Sequence, residues 1–176
     1  MITHYLNTPL TQSSMNDLRA GDRVYISGRI ITLRDEAHKR ICDLVKAGKD
    51  LPVCLKRRTI YYTGPAPAPD GKIIGSAGPT SSYRMDPYTP DLLKLGVNAV
   101  IGKGERSDDV RASFIKNKAV YLAATGGAAV LISKTVKTVR TLAYPELGHE
   151  AIREMQVEDF PCIVAYDAQG GDIYAG

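Results

Sequence analysis

Short apolar runs rich in β-branched residues alternate with short helical patterns, and Gly or Pro punctuates nearly every junction between them. That alternation constrains the fold more than any other feature, because strands separated by helices pair most simply side by side in an α/β arrangement. Arg23 to Leu33 reads as a strand, or as a hairpin about Gly28, and runs straight into Arg34-Asp35. A helix fits from Asp35 to about Ala47, with Asp35 and Glu36 at its positive end, Lys46 near the other end and Gly48 as the stop. Thr59 to Thr63 is a second strand, and Lys72 to Ser76 begins a third. Thr89-Pro90-Asp91 opens a helix that Gly96 ends, since Thr can cap and Pro is tolerated in the first turn. Asn98 to Ile101 is a strand, Ser107 caps a helix through about Asn117, and Ala119 to Ala124 is another strand. Gly126-Gly127 opens a helix through about Lys134, and Ile163–Tyr166 with Asp172–Tyr174 closes the chain as a hairpin about Gln169-Gly170-Gly171.

A chain of 176 residues fits one domain with one core, residues 1 to 176. Its 44% hydrophobic and 24% charged residues match ordinary soluble chains, and no apolar run approaches the roughly 18 residues of a membrane span. Met1 to Leu6 lacks a basic region followed by an apolar stretch, so a cytoplasmic location is expected. Cys42, Cys54 and Cys162, three cysteines at wide separations, fit neither a disulfide framework nor a close-spaced metal motif, and free thiols are expected. A net charge of +4 is mild, and the ten Tyr are not interleaved with basic residues, which argues against nucleic acid. Lys56-Arg57-Arg58, the tight basic cluster, reads as a solvated turn before the second strand.

Chemistry concentrates in Gly75-Ser-Ala-Gly-Pro-Thr-Ser-Ser-Tyr-Arg-Met-Asp86. Its glycines and Pro79 break regular structure, so backbone N–H groups can turn toward an anion while Thr80, Ser81 and Ser82 add donors. Arg84 offers a guanidinium fork that fits a carboxylate bidentately. Arg34, Arg84 and Lys103 each follow an apparent strand end, where ligands gather in α/β sheets, so together they fit a small dicarboxylate. Singly, an ion pair of Arg34 with Asp35 or Glu36, and a solvated turn at Gly102-Lys103-Gly104, are equally good readings. His38, four residues after Arg34, reads better as a buried helix histidine than as a proton relay. Gly126-Gly127-Ala128-Ala129 has no nucleotide fingerprint spacing and reads as tight packing.

Several motifs occur here in order: Gly21-Asp22, Arg34-Asp35-Glu36-Ala37-His38, Tyr62-Thr63-Gly64-Pro65, Ser76-Ala77-Gly78-Pro79-Thr80, Arg84-Met85, Gly102-Lys103-Gly104 and Gly126-Gly127-Ala128-Ala129. Over roughly residues 6 to 175 the chain resembles the beta subunit, or C-terminal catalytic domain, of class I iron-sulfur fumarases and L(+)-tartrate dehydratases. The resemblance implies a swivelling β/β/α domain in a cytoplasmic hydro-lyase (fumarate hydratase) of the tricarboxylic acid cycle. It also implies an alpha subunit that carries a [4Fe-4S] cluster which this chain does not ligate, within an alpha2-beta2 heterotetramer. The implied substrates are fumarate and malate, with tartrate giving oxaloacetate as the alternative. A non-catalytic dicarboxylate-binding module is the alternative of another class. By the same resemblance, Thr80 is the base, Arg34, Arg84 and Lys103 bind substrate carboxylates, and the partner's iron holds the leaving hydroxyl. Cys54 and Ser81-Ser82-Tyr83 depart from the family pattern; the first is expected to affect a turn and the second the pocket rim.

Overall fold

The computed structural model describes residues 1–124 and 129–176. In chain order the elements are β1 (Thr3–Asn7), α1 (Gln12–Asp17), β2 (Arg23–Thr32), α2 (Asp35–Lys46), β3 (Thr59–Tyr61), α3 (Thr89–Lys94), β4 (Ala99–Gly102), α4 (Asp108–Lys116), β5 (Val120–Ala124), α5 (Ala129–Thr135), β6 (Val136–Ala143) and β7 (Ile152–Tyr166). Short 3-10 turns cover Ser82–Met85 and Pro145–Glu150. The strands form one sheet in the order β1-β2-β3-β4-β5-β7-β6. The first five run parallel, and β7 runs antiparallel to β2, β5 and β6.

The sheet closes on itself through β7. Along its second half Cys162 is registered with both Val24 of β2 and Ala124 of β5, so β2, β3, β4, β5 and β7 form a ring. Nearer its start, Met155 is registered with Ile30 of β2 and Val139 of β6, which places β6 outside the ring. Closure removes the exposed edges of the ring strands and explains why their residues are apolar on both faces. One face packs Val24, Ile26, Tyr61, Ile101, Leu122 and Val164 with Met15 of α1 and Leu18, the residue that follows it. The other packs Ile31, Ile60, Val100 and Tyr121 against Ile41, Leu92 and Phe114 of α2, α3 and α4. This is a small single-domain α/β fold with barrel-like closure.

Most expected elements are present within two residues of their sequence boundaries. Arg23 to Leu33 is one strand, with a register shift between Ile26 and Gly28 where the hairpin was the alternative. Three expectations need correction. Lys72 to Ser76 is not a strand: within an irregular loop the Gly75 N–H donates to the Ala66 carbonyl and the Ala66 N–H to the Ser76 carbonyl, and Pro65, Pro67 and Pro69 supply no N–H to a ladder. The closing hairpin reduces to a single bridge between Tyr166 and Asp172, because the Asp167 carboxylate caps the turn by accepting from the N–H groups of Gln169 and Gly171. Thr89 is the first residue inside α3 and not its cap; its hydroxyl donates to the Met85 carbonyl. The helix start expected at Gly126-Gly127 lies outside the described residues.

Phe160 of β7 meets Tyr61 of β3 edge-on, with ring centroids 5.0 Å apart, and neither ring is exposed. Phe160→Ala is expected to lower the unfolding free energy by about 3–5 kcal/mol, read from urea denaturation.

Candidate functional site

The parallel register brings the ends of four strands together. Thr32 is registered with Tyr61, Tyr61 with Ile101, and Gly102 with Ala123, so the segments that follow β2, β3 and β4 emerge at one edge. Arg34 leaves β2 as the N-cap residue of α2. Lys103 leaves β4, exposed, directly after Gly102. Residues 80 to 84 are drawn across the ends of β3 and β4: the Thr80 N–H donates to the Tyr62 carbonyl at 2.7 Å, and Ser81 bridges Lys103. All four residues singled out in the sequence therefore lie at this edge.

Arg34 and Arg84 are gathered by one carboxylate. Asp35, in the first turn of α2, stands 3.1 Å from the Arg84 guanidinium and 3.6 Å from that of Arg34. The simple reading of Arg34 as a partner of Asp35 is correct, and the same pair brings in the second arginine. The Arg34 side chain crosses over Gly64, where a Cβ would stand 2.8 Å from Arg34 Cδ and 2.9 Å from His149 Cδ2. Gly64 is thus required by close approach. Thr80 and Lys103 are set by backbone contacts of the loop, the Thr80 N–H on the Tyr62 carbonyl and the Ser81–Lys103 bridge beside it. Lys103 keeps its ammonium at the exposed rim, as the solvated-turn reading expects.

Ser82 fixes the loop to the sheet. Its hydroxyl accepts from the Lys103 N–H at 2.9 Å and from the Tyr121 hydroxyl at 2.9 Å, while its N–H donates to the Lys103 carbonyl at 3.0 Å. A Cβ on Gly102 would collide with the Ser82 hydroxyl, so glycine is the residue that lets the loop lie this close to β4. Ser82 is buried in this anchor, and Tyr83 rather than Ser82 stands exposed at the rim. Cys54 is exposed, away from these anchors.

Beneath the loop lies Arg106, which the sequence reading passed over. Its side chain is 0% exposed, and its Nε donates to the Asp86 carboxylate at 2.6 Å. Nη2 donates to the Thr89 hydroxyl at 2.6 Å, and the rings of Tyr62, Tyr121 and Phe114 surround the cation at 5.1–5.9 Å. Its own N–H donates to the Tyr166 hydroxyl. Arg106 therefore clamps the start of α3, and with it the Ser82–Met85 turn, onto the sheet. Nothing in the local pattern Gly104-Glu105-Arg106-Ser107 distinguishes it from a solvated arginine ahead of a helix cap.

His38 is buried, as expected, and is not offered to a ligand. Its Nδ1 donates to the Arg34 carbonyl at 2.7 Å, and its Nε2 has no partner among the described residues. Burial is the main cause that pushes its pKa down to about 4, helped by the Arg106 charge and opposed by the Arg34 carbonyl. Among the described residues no three His, Cys, Asp or Glu side chains gather to hold a metal ion. Cys42 and Cys162 are buried in separate core clusters. Among the described residues the cysteines are not gathered as a cluster's thiolate ligands would be.

The pH dependence of His38 follows from its location. The folded chain keeps it neutral down to about pH 4, whereas the unfolded chain protonates it near 6.5, so its contribution to stability is complete above 6.5 and is lost as pH falls toward 4. The unfolding free energy should drop by about 3 kcal/mol between pH 7 and pH 4 from this group. Urea denaturation across that range should show this component removed in His38→Gln.

Comparison with known proteins adds the family. Residues 2–176 match the model described as Fumarase C-terminus. The chain is 41% identical over 174 residues to the class I, anaerobic fumarate hydratase of Escherichia coli, covering 96% of this chain and 32% of that protein. It is 39% identical over 167 residues to fumarate hydratase 2 of Leishmania major, covering 93% and 29%. It thus spans about a third of the length of these fumarate hydratases. A Methanocaldococcus jannaschii protein provisionally named L(+)-tartrate dehydratase subunit beta is 39% identical over 176 residues, covering 97% of this chain and 90% of that one. With a match across nearly its whole length and a loop–strand-end geometry that gathers the motif residues, the chain belongs to the fumarase C-terminus family.

Proposed function

We propose that this chain is the beta subunit of a hydro-lyase that reversibly hydrates fumarate to L-malate. The observation that carries the reading is the gathering of Arg34, Thr80, Arg84 and Lys103 at one edge of the closed sheet, with both arginines on a single carboxylate. The names of the fumarate hydratases it resembles support it, and the name of the tartrate dehydratase subunit supports a beta-subunit role. On this reading residues 1 to 176 form one swivelling β/β/α domain that docks in the cytoplasm on an alpha subunit, two of each per assembly. The [4Fe-4S] cluster belongs to that alpha subunit, where it supplies a Lewis acid for the hydroxyl.

The roles of this chain's residues follow from charge. In the dehydration direction a proton leaves the carbon beside a carboxylate, and negative charge builds on that carboxylate's oxygens. Fixed cations aimed at those oxygens lower the transition state more than the ground state. Arg34, Arg84 and Lys103 hold the two carboxylates, Arg84 through its guanidinium fork. Thr80 takes the proton, which requires its hydroxyl to be activated by the Arg84 charge and by loop N–H groups. Gly64 and Gly102 matter because both leave room for the groups that carry this geometry.

L(+)-tartrate dehydration to oxaloacetate is the second reading, favoured by the relative that this chain covers almost completely. The same cations serve either dicarboxylate, and one additional hydroxyl contact decides between them.

Anaerobic co-expression with the neighbouring alpha-type subunit and side-by-side assay on L-malate and L-tartrate tests the proposal. Malate turnover is the expected result, and a tartrate preference moves the assignment to the second reading. No turnover from a formed, cluster-loaded complex would leave a dicarboxylate-binding module. In the active complex Thr80→Ala should cut kcat by roughly 10²-fold or more with KM little changed. Near-normal turnover in that variant would remove Thr80 as the base. Arg84→Lys should chiefly raise KM, because a point charge replaces the fork.

A further inference from the structure

A second concavity lies at the opposite end of the strands, and its lining is basic. It measures about 540 Å³ and is lined by Arg29 of β2, by Lys56, Arg57 and Arg58 just ahead of β3, and by Thr8 and Gln156, with no Asp or Glu among its lining residues. The sequence pattern Lys56-Arg57-Arg58 reads as a solvated turn, but the structure sets these residues around a hollow. It shares no residue with the edge that holds Arg34, Thr80, Arg84 and Lys103.

Three observations indicate that the hollow is built and not incidental. First, Arg57 has a left-handed backbone, φ 58°, which side-chain-bearing residues adopt only when their surroundings impose it. Its N–H is bound to the Gly96 carbonyl at 2.8 Å, and the Arg58 N–H is bound to the Leu55 carbonyl at 3.2 Å, so the cluster is held at a fixed angle. Second, the floor is the irregularity in β2 at Gly28, φ 112°, where any Cβ would collide with the Thr8 hydroxyl. A glycine at such a point marks close approach of another group. The Thr8 hydroxyl is itself buried without a hydrogen-bond partner among the described residues. Third, the positive charge is not neutralised in place. Glu154 serves Arg140 at 3.1 Å, Arg58 at 3.4 Å and Arg29 at 3.9 Å, one carboxylate for three guanidiniums, while Lys56 and Arg57 have no ion pair among the described residues.

We propose that this cleft binds a small phosphorylated compound carrying at least two anionic groups. Its volume is that of a small-molecule site, and its cations line one hollow instead of tracking a groove as a nucleic acid requires. Three guanidiniums, one ammonium and an amide suit the many oxygens of phosphate groups better than flat carboxylates.

Titration calorimetry of the full chain with inorganic pyrophosphate, at about 0.15 M salt so that loose surface attraction is screened, tests the proposal. Saturable binding at one site is expected, tighter than for citrate and retained in the double variant Arg34→Ala/Arg84→Ala. Arg57→Gly should weaken it at least ~10-fold, the loss of one charge-assisted contact, while the melting temperature holds or rises because glycine accepts the left-handed backbone. Lys56→Gln gives an independent check with the same direction. The proposal is overturned by the absence of saturable binding, by citrate binding more tightly than pyrophosphate, or by binding that survives Arg57→Gly and Lys56→Gln but disappears with Arg34 and Arg84.

Discussion

A buried cation holds the candidate site in place. Arg106 is fully enclosed by Tyr62, Tyr121 and Phe114, and its charge is answered by Asp86 and by the Thr89 hydroxyl. Placing an arginine there is costly unless every partner is correctly placed, so the arrangement enforces one position for the segment between Ser82 and Thr89. The aromatic rings belong to the sheet and to α4, and the acceptors belong to the loop, through Asp86, and to the start of α3, through Thr89. The interaction therefore couples the sheet to the loop that carries Thr80 and Arg84. Breaking any one partner would leave charge stranded in the core, which is why the clamp behaves as a unit.

The closed ring supplies the rigidity against which that clamp works. β7 pairs with β2 and β5 at once, so the parallel strands cannot splay at the edge where Arg34, Thr80 and Lys103 emerge. Two glycines complete the fit by omission. Gly102 lets Ser82 sit on β4, and Gly64 lets Arg34 cross beside His149. His38 contributes from behind by donating to the Arg34 carbonyl from a dry pocket, whose burial keeps the imidazole neutral.

Local pattern was sufficient for β2 to β5 and the helices between them, whereas β1, α1 and β6 carried no expectation. The strand from Arg23, the helix from Asp35 and the Ser107 cap all follow from periodicity and end signals that act over a few residues. β7 was legible only at its end, because its fifteen residues include Asp159 in a left-handed conformation and Pro161, which interrupt the alternation while two neighbouring strands keep it paired. Lys72 to Ser76 misled for the reverse reason: Gly75 and Ser76 bond to Ala66, but among the described residues the apolar pair Ile73-Ile74 joins no strand. At the candidate site, the four motif residues could be named because glycine, proline and arginine mark strand-end loops. Arg106 and the bridging position of Asp35 could not, since burial and partner geometry arise from residues up to 60 positions apart.

Asp35 gives the edge of the sheet a property that goes beyond positioning. With its carboxylate already between Arg34 and Arg84, the two guanidiniums are kept close without full mutual repulsion, and this edge is partly charge-balanced. On the proposed function, an arriving carboxylate would exchange with or join an existing one instead of neutralising bare cations. Such an exchange weakens the hold on any passing anion and leaves discrimination to shape, to the spacing of the ligand's acidic groups. A pair of arginines that would otherwise act as a general anion sponge becomes, through one aspartate, a gauge of distance.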